Sequence, residues 1–336
     1  MNSNGRDAPT LEMIPMKTAL PLAVDEQAVR EALPALDVRG ALSAMFRALA
    51  SDAAVQPPQT LTLFPNGAGD FITYLGALAD AKVFGAKLSP YIVTGGKPVI
   101  TAWTALMSME TGQPLMWCDA GLLTTERTAG TTALAVDQLA RADAKRLAVV
   151  GAGAVGLAHL RHVATLRAWE SIRVYSPDLA ANDAKRAAVR AADARAEVSE
   201  TIEACVKDAD VVMLCTSSGT PVLPRDVLTK PALITSISTN AINAHEIDPA
   251  WLPELDVYCD YRATTPASAG EMKLAAQHGW SPENVKGDLP SLLAGTCAKP
   301  AYGRHAFFRS IGLGLEDVAI ASELYRHLTG RPHQAQ

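Results

Sequence analysis

The sequence has no CxxC pair, no cluster of Lys and Arg, and no apolar run near the roughly 18 residues a membrane span needs. Its five cysteines, at 118, 205, 215, 259 and 297, are scattered and odd in number. That argues against a disulfide framework or a structural zinc site and points to buried thiols in a reducing cytosol. A formal charge of −5 and a pI near 5.8 argue against nucleic acid as a partner, because phosphate contacts need clustered cations. The opening stretch MNSNGRDAPTLEM lacks the positive segment and apolar core of a secretory signal and reads as a loose tail. The expectation is a cytoplasmic protein with no metal, membrane or nucleic-acid partner.

What is present suits a two-core enzyme: 336 residues, 49% hydrophobic and 19% charged. Helical spacing of Val29, Leu33, Leu36, Met45 and Leu49 predicts one helix over Asp25–Ala53, ended by Gln56-Pro57-Pro58. Short β-like runs follow at Thr60–Phe64, Phe71–Leu75, Lys82–Leu88, Val99–Met107 and Pro114–Cys118, with Asn66-Gly67 and Gly95-Gly96 as turns. This part reads as α+β with a mostly antiparallel sheet. A helix is expected to start near Thr124–Thr125, either threonine capping it, with Glu126 in its first turn.

From Arg146 the rhythm changes. Leu147–Val150, Ile172–Tyr175, Val211–Cys215 and Leu233–Ile237 read as buried strands, separated by helices at Ala154–Leu166 and Ala180–Ala192. Such alternation predicts a parallel sheet covered on both faces. Leu315–Leu328 reads as a last amphipathic helix.

Gly151-Ala152-Gly153-Ala154-Val155-Gly156 joins the first of these strands to its helix. The first glycine allows the tight turn, the second a close approach of backbone to pyrophosphate, the third close helix–strand packing. The helix N-terminus then offers free N–H groups to the phosphates. An acidic residue is expected at the end of the second strand of an NAD site, where this chain has Ser176. Serine tolerates a 2′-phosphate that a carboxylate would repel, which favours NADPH, although Asp178 two residues on still leaves NADH open.

Two cations stand out. Lys87 lies inside an apolar strand, where a lysine is costly unless paired. Arg127 lies near a helix start between threonines, well placed for a two-pronged grip on a carboxylate. Solvated or snorkelling side chains remain the alternative for both. His159 and His162, three apart on the helix after the glycine loop, have a chelating spacing but no third ligand, and read as packed or solvated. His245 reads as structural or substrate-touching, and Glu316-Asp317 as a cap or a partner of basic residues at the last helix.

The stretches Phe84–Lys87, Thr111–Leu115, Leu123–Ala129, Gly151–Gly156, Cys215–Ser218, His245–Asp248 and Ser310–Asp317 follow at spacings by which the chain resembles the ornithine cyclodeaminase/mu-crystallin family, from about Leu20 to His327. The resemblance implies an α/β homodimer. Residues 15–135 and 305–330 would form an α+β substrate and dimerisation domain, and 140–304 a Rossmann NAD(P)-binding domain. It further implies that Arg127 binds a substrate carboxylate and that Lys87 sits beside the reacting carbon. Thr128, Thr216, Ser217 and Ser218 would line the cofactor cleft with Gly151, Gly153, Ala154, Val155, Gly156 and Ser176, and Ser310 would lie near the nicotinamide.

The chain departs from the family pattern at two positions. An aspartate found in the cyclodeaminases and some amino-acid dehydrogenases of the family is replaced by Asn240, which cannot act as a general base, and an arginine that many members carry at the substrate site is replaced by Gln59. Ornithine cyclisation needs a proton acceptor, whereas reducing a preformed imine asks only for orientation and a protonated nitrogen. The expected activity is therefore NAD(P)H-dependent reduction of a small, cyclic ketimine carboxylate such as Δ1-pyrroline-2-carboxylate or Δ1-piperideine-2-carboxylate. Ornithine cyclodeamination, reduction of an acyclic imino acid, and a non-enzymatic NADPH-binding role are the alternatives.

Overall fold

The computed structural model of the protein describes residues 20–238 and 241–330. The expected tail at the N-terminus and Asn240 lie outside the described residues.

The described strands form two eight-stranded sheets. The first contains β1 (Leu22–Val24), β2 (Ala54–Val55), β3 (Thr60–Leu63), β4 (Gly69–Leu78), β5 (Val83–Ile92), β6 (Val99–Ile100), β7 (Trp103–Ser108) and β8 (Pro114–Asp119). It runs β1-β8-β7-β5-β4-β2, with β3 beside β4 and β6 beside β5. All its pairs are antiparallel except β1 with β8. Burial alternates along β5 and β7, as a sheet with one covered face requires.

The second sheet contains β9 (Arg146–Val150), β10 (Ser171–Tyr175), β11 (Ala196–Val198), β12 (Val211–Leu214), β13 (Leu233–Ser236), β14 (Asp256–Cys259), β15 (Gly287–Asp288) and β16 (Ala306–Arg309). Its order is β11-β10-β9-β12-β13-β16-β14-β15, parallel throughout. The chain reverses direction of travel between β9 and β12, the switch point of a Rossmann arrangement. Strands β12, β13 and β16 are buried on both faces, which is why they read as unbroken apolar runs. The expected boundary at residue 305 falls just before β16, which belongs to this parallel sheet.

The helices are α1 (Glu26–Ala32), α2 (Val38–Ala50), α3 (Gly121–Leu139), α4 (Ala154–Val163), α5 (Asp183–Ala192), α6 (Ile202–Val206), α7 (Thr265–Ser268), α8 (Gly270–Leu274), α9 (Leu289–Ala294) and α10 (Gly314–Thr329). The single helix expected over Asp25–Ala53 is two. Pro34 sits in a 3-10 turn between them, and the Asp37 side chain accepts from Gly40 N to start the second. The helix expected from Thr124 begins earlier, at Gly121, where the Asp119 side chain accepts from Gly121 N at 2.9 Å. The run Val99–Met107 is divided into β6 and β7.

After β16 the chain returns to the first sheet, and α10 packs over β4, β5 and β7. The approach is close: a Cβ at Gly314 would stand 2.4 Å from the Leu75 backbone. This closeness sets the first turn of α10 against the inner face of β4. Helix α3 lies against α2, α4 and α10 and so touches both halves of the molecule.

Candidate active site

The carboxyl ends of the parallel strands carry the glycine loop. Gly151 takes φ 111°, and a Cβ there would stand 2.4 Å from Cys215 O. A Cβ at Gly156 would stand 2.0 Å from Gly151 O, whereas one at Gly153 would meet nothing within 4 Å. The outer two glycines are thus required by the fold, and the middle one leaves open space. Helix α4 starts at Ala154 with Gly153 as its cap and no side-chain bond to its first amides. Exposed backbone, a free helix start and a gap at Gly153 fit a dinucleotide pyrophosphate.

At the end of β10, Ser176 is half-buried and donates from Oγ to Asp178 Oδ1 at 3.2 Å; Lys185 also bonds Asp178. Across the switch point, Ser217 is exposed, and Thr216 donates from N and Oγ1 to Glu246. The Ser218 hydroxyl donates to Thr220 O. Ser310 is buried and donates to Asp260 Oδ2 at 3.0 Å. The same oxygen accepts from Ile311 N at 2.7 Å and Gly312 N at 3.2 Å, so Asp260 shapes the turn after β16. Burial pushes the Asp260 carboxyl upward against those bonds.

The charged cluster lies where that turn meets α3. Arg127 and Lys87 are buried, and neither snorkels. Asp317 Oδ2 is 2.8 Å from Lys87 Nζ, and Asp317 Oδ1 is 3.0 Å from Arg127 Nε. Glu316 Oε2 is 3.1 Å from Arg127 Nη1. Among the described residues Arg127 Nη2 has no hydrogen bond or ion pair. Lys87 Nζ also sits 4.2 Å above the Tyr74 ring and 3.4 Å from Thr124 Oγ1. Gly312 lets the turn lie on the guanidinium, since a Cβ there would be 2.2 Å from Arg127 Nη1. The turn after β16 brings the cluster to the same sheet edge as the glycine loop.

Burial lowers Lys87 to about 8, opposed chiefly by Asp317, and raises the Glu316 carboxyl to about 8, opposed by Arg127. The Arg127 guanidinium is held above its usual range because Asp317 and Glu316 outweigh its own desolvation. Lys87 therefore keeps its proton at neutral pH but can release it within the working range of an enzyme. Gln59 is half-buried, and its Oε1 is enclosed with no partner among the described residues. Thr128, next to Arg127, donates to Thr124 O within α3.

The histidine pair is divided. His159 is buried, with Nε2 3.0 Å from Thr132 Oγ1 and Nδ1 2.7 Å from Val155 O, and burial lowers it to about 4. His162 Nε2 is 2.8 Å from Glu126 Oε2. Among the described residues no group of three or more His, Cys, Asp or Glu side chains is placed to hold a metal. His245 is half-buried, its Nδ1 2.7 Å from Asn243 O. A charged cleft of about 450 Å3, lined by Arg141, Lys145, Asp210 and Lys230 among others, opens at the opposite, amino end of the strands, where Asp210 pairs with Arg141 and Lys230.

Sequence reasoning passed over Tyr74, Glu246 and Asp260 and gave Glu316-Asp317 only a general pairing role. Buried acids are visible in sequence only as acids in apolar surroundings. The first turn of α10 carried one more signal, two carboxylates where a helix N-terminus favours them.

A model of the ornithine cyclodeaminase/mu-crystallin family matches residues 21–331. An NAD(P)H-dependent anabolic L-arginine dehydrogenase of Pseudomonas aeruginosa is 54% identical over 312 residues, covering 93% of this chain and 98% of that protein. An iminosuccinate reductase of Paracoccus denitrificans is 28% identical, covering 74% and 79% respectively. Among solved structures, a probable ornithine cyclodeaminase from Bordetella pertussis superposes with a TM-score of 0.83 at 28% identity, over 93% of this chain and 98% of that one.

Proposed function

We propose, on the premise that the chain belongs to the ornithine cyclodeaminase/mu-crystallin family, that it reduces the C=N bond of an α-imino acid to give an L-amino acid. It is an oxidoreductase that uses a nicotinamide cofactor. The observation that carries the reading is the Lys87–Asp317–Arg127 cluster at the sheet edge that also holds the glycine loop.

A nicotinamide cofactor held at the Gly151–Gly156 turn would supply hydride to the imine carbon. Arg127, fixed on Nε and Nη1, has Nη2 left to bind the substrate carboxylate. Lys87 lies beside it with a proton to give the nitrogen, which takes the electron pair of the C=N bond as hydride arrives at carbon. Asp317 keeps the two cations apart at a set distance. Burial keeps water from competing for either cation.

The likeness to the arginine dehydrogenase across nearly its whole length favours an acyclic imino acid with a long, cationic side chain, iminoarginine above others. A small cyclic ketimine is the second reading, favoured by Asn240, which stands where the cyclodeaminases and some amino-acid dehydrogenases of the family carry an aspartate. The test offers L-arginine with NADP+, and Δ1-piperideine-2-carboxylate with NADPH, and follows cofactor absorbance. Turnover with arginine alone supports the first reading, turnover with the cyclic imine alone the second, and none with either, nor with other imino acids, overturns the assignment.

Ser176 at the end of β10 supports a preference for NADPH. The outer face of the first sheet supports a homodimer: Leu75, Phe84, Leu88 and Trp117 are exposed there, and Trp117 stacks on Trp103 at 5.7 Å. We place the division between cofactor-binding and substrate-binding domains after Arg309. All five cysteines are free, which fits a cytoplasmic enzyme.

A further inference from the structure

The loops that leave the neighbouring strands β12 and β13 are held by one carboxylate. Glu246 Oε1 accepts from Thr216 N at 2.8 Å and from Thr216 Oγ1 at 2.7 Å. Its Oε2 accepts from Ser236 Oγ at 2.7 Å, Ile237 N at 3.1 Å and Ser238 N at 2.8 Å. Glu246 is fully buried and, among the described residues, pairs with no cation. Its backbone carbonyl accepts from Val222 N at 2.8 Å, which closes the first loop behind it.

The bonds run onward to the cofactor turn. Thr216 Oγ1 accepts from Ser218 N at 3.1 Å, and Ser218 O accepts from Ser238 Oγ at 3.3 Å, so the loops are tied to each other as well. On its other side this loop abuts the glycine turn: a Cβ at Gly151 would stand 3.3 Å from Thr216 N. Ser238 holds φ 50°, a left-handed conformation that serine seldom adopts, and its N–H is fixed by Glu246.

We propose that Glu246 is a positioning residue for the dinucleotide: it sets how far loop 216–218 stands from the glycine turn and how the chain leaves β13 through Ile237 and Ser238. The proposal rests on the reading that this cleft takes a nicotinamide cofactor. A carboxylate suits the task because it is acceptor-only, with lone pairs enough for every N–H and O–H aimed at it. Glutamine has the same shape but presents an amide N–H2 to one of the two loops. Donor then faces donor, and that loop must leave its place.

The test is NADPH binding, read from cofactor fluorescence with no imine present, in wild type, Glu246→Gln and Glu246→Asp. Glu246→Gln is expected to weaken binding by about tenfold or more, while the cofactor-free protein melts cooperatively near the wild-type temperature. Hydrogen exchange in that variant should quicken at 216–218 and 236–238. Glu246→Asp keeps both oxygens but is one methylene too short to reach both loops, and an intermediate loss is expected. A folded Glu246→Gln protein that binds NADPH within about twofold of wild type overturns the proposal. Should that variant not fold, Glu246→Asp decides by the same criterion. Failure of the wild type to reduce any imine would overturn the substrate reading alone, since no imine enters this assay.

Discussion

Asp317 Oδ2 and Lys87 Nζ lie 2.8 Å apart with both side chains almost wholly buried, and the other oxygen of that carboxylate holds Arg127 Nε at 3.0 Å. One acid thus compensates two cations. Neutralising it leaves Lys87 buried without a carboxylate and Arg127 with Glu316 alone. Asp317→Asn is expected to lose about 3–5 kcal/mol of stability in urea denaturation. A loss below about 1 kcal/mol would place the cluster in wetter surroundings than its geometry shows.

The pH profile of imine reduction follows from the same pair. A lysine donates only below its pKa, and burial sets that of Lys87 at about 8, so kcat/KM should fall as pH rises past that value. Asp317 opposes the depression, so in Asp317→Asn the alkaline limb should move to lower pH. A limb that stays in place would assign it to another group.

The glycine loop gives two substitutions with opposite signatures. Gly156→Ala places a methyl against the Gly151 carbonyl and should cost about 3 kcal/mol of stability in the cofactor-free protein. A Cβ at Gly153 meets nothing within 4 Å, so Gly153→Val should melt like wild type yet lose NADPH binding. Normal binding by Gly153→Val would remove the pyrophosphate from this turn.

Ser176→Asp should raise the Kd for NADPH by at least about tenfold and leave that for NADH nearly unchanged, because a carboxylate repels the 2′-phosphate and welcomes a 2′-hydroxyl. Equal losses for both cofactors would mean that the ribose lies elsewhere.

Trp117→Lys places a charge in the exposed apolar face of the first sheet and should halve the mass seen by sedimentation while the fold is retained. An unchanged mass would overturn the proposed homodimer through this face.

Much of this was legible in the chain. The parallel half announced itself because β9, β12 and β13 are apolar on both faces and the glycines follow β9 at once. Lys87 and Arg127 stood out as cations in apolar or helix-start settings. That Glu316 and Asp317 pair with these two cations was not legible, because Asp317 is separated from Arg127 by 190 positions and only the return of α10 unites them. Pro34 was present to divide the first helix, but the apolar spacing continues across it, so periodicity alone misread two helices as one. The early start of α3 depended on Asp119, an acid at the end of a strand, which no helical period contains.

The place of β16 has a consequence for how the molecule is made. This is the last of the described strands, yet it lies between β13 and β14, and without it β14 and β15 have no link to the rest of their sheet. The helix that follows it covers the other sheet. During synthesis, then, neither half can be completed until β16 and α10 have left the ribosome, and together they finish both. Folding is committed late, by pairings far apart in sequence, and truncation after β15 should yield an open, aggregation-prone chain rather than a smaller working domain.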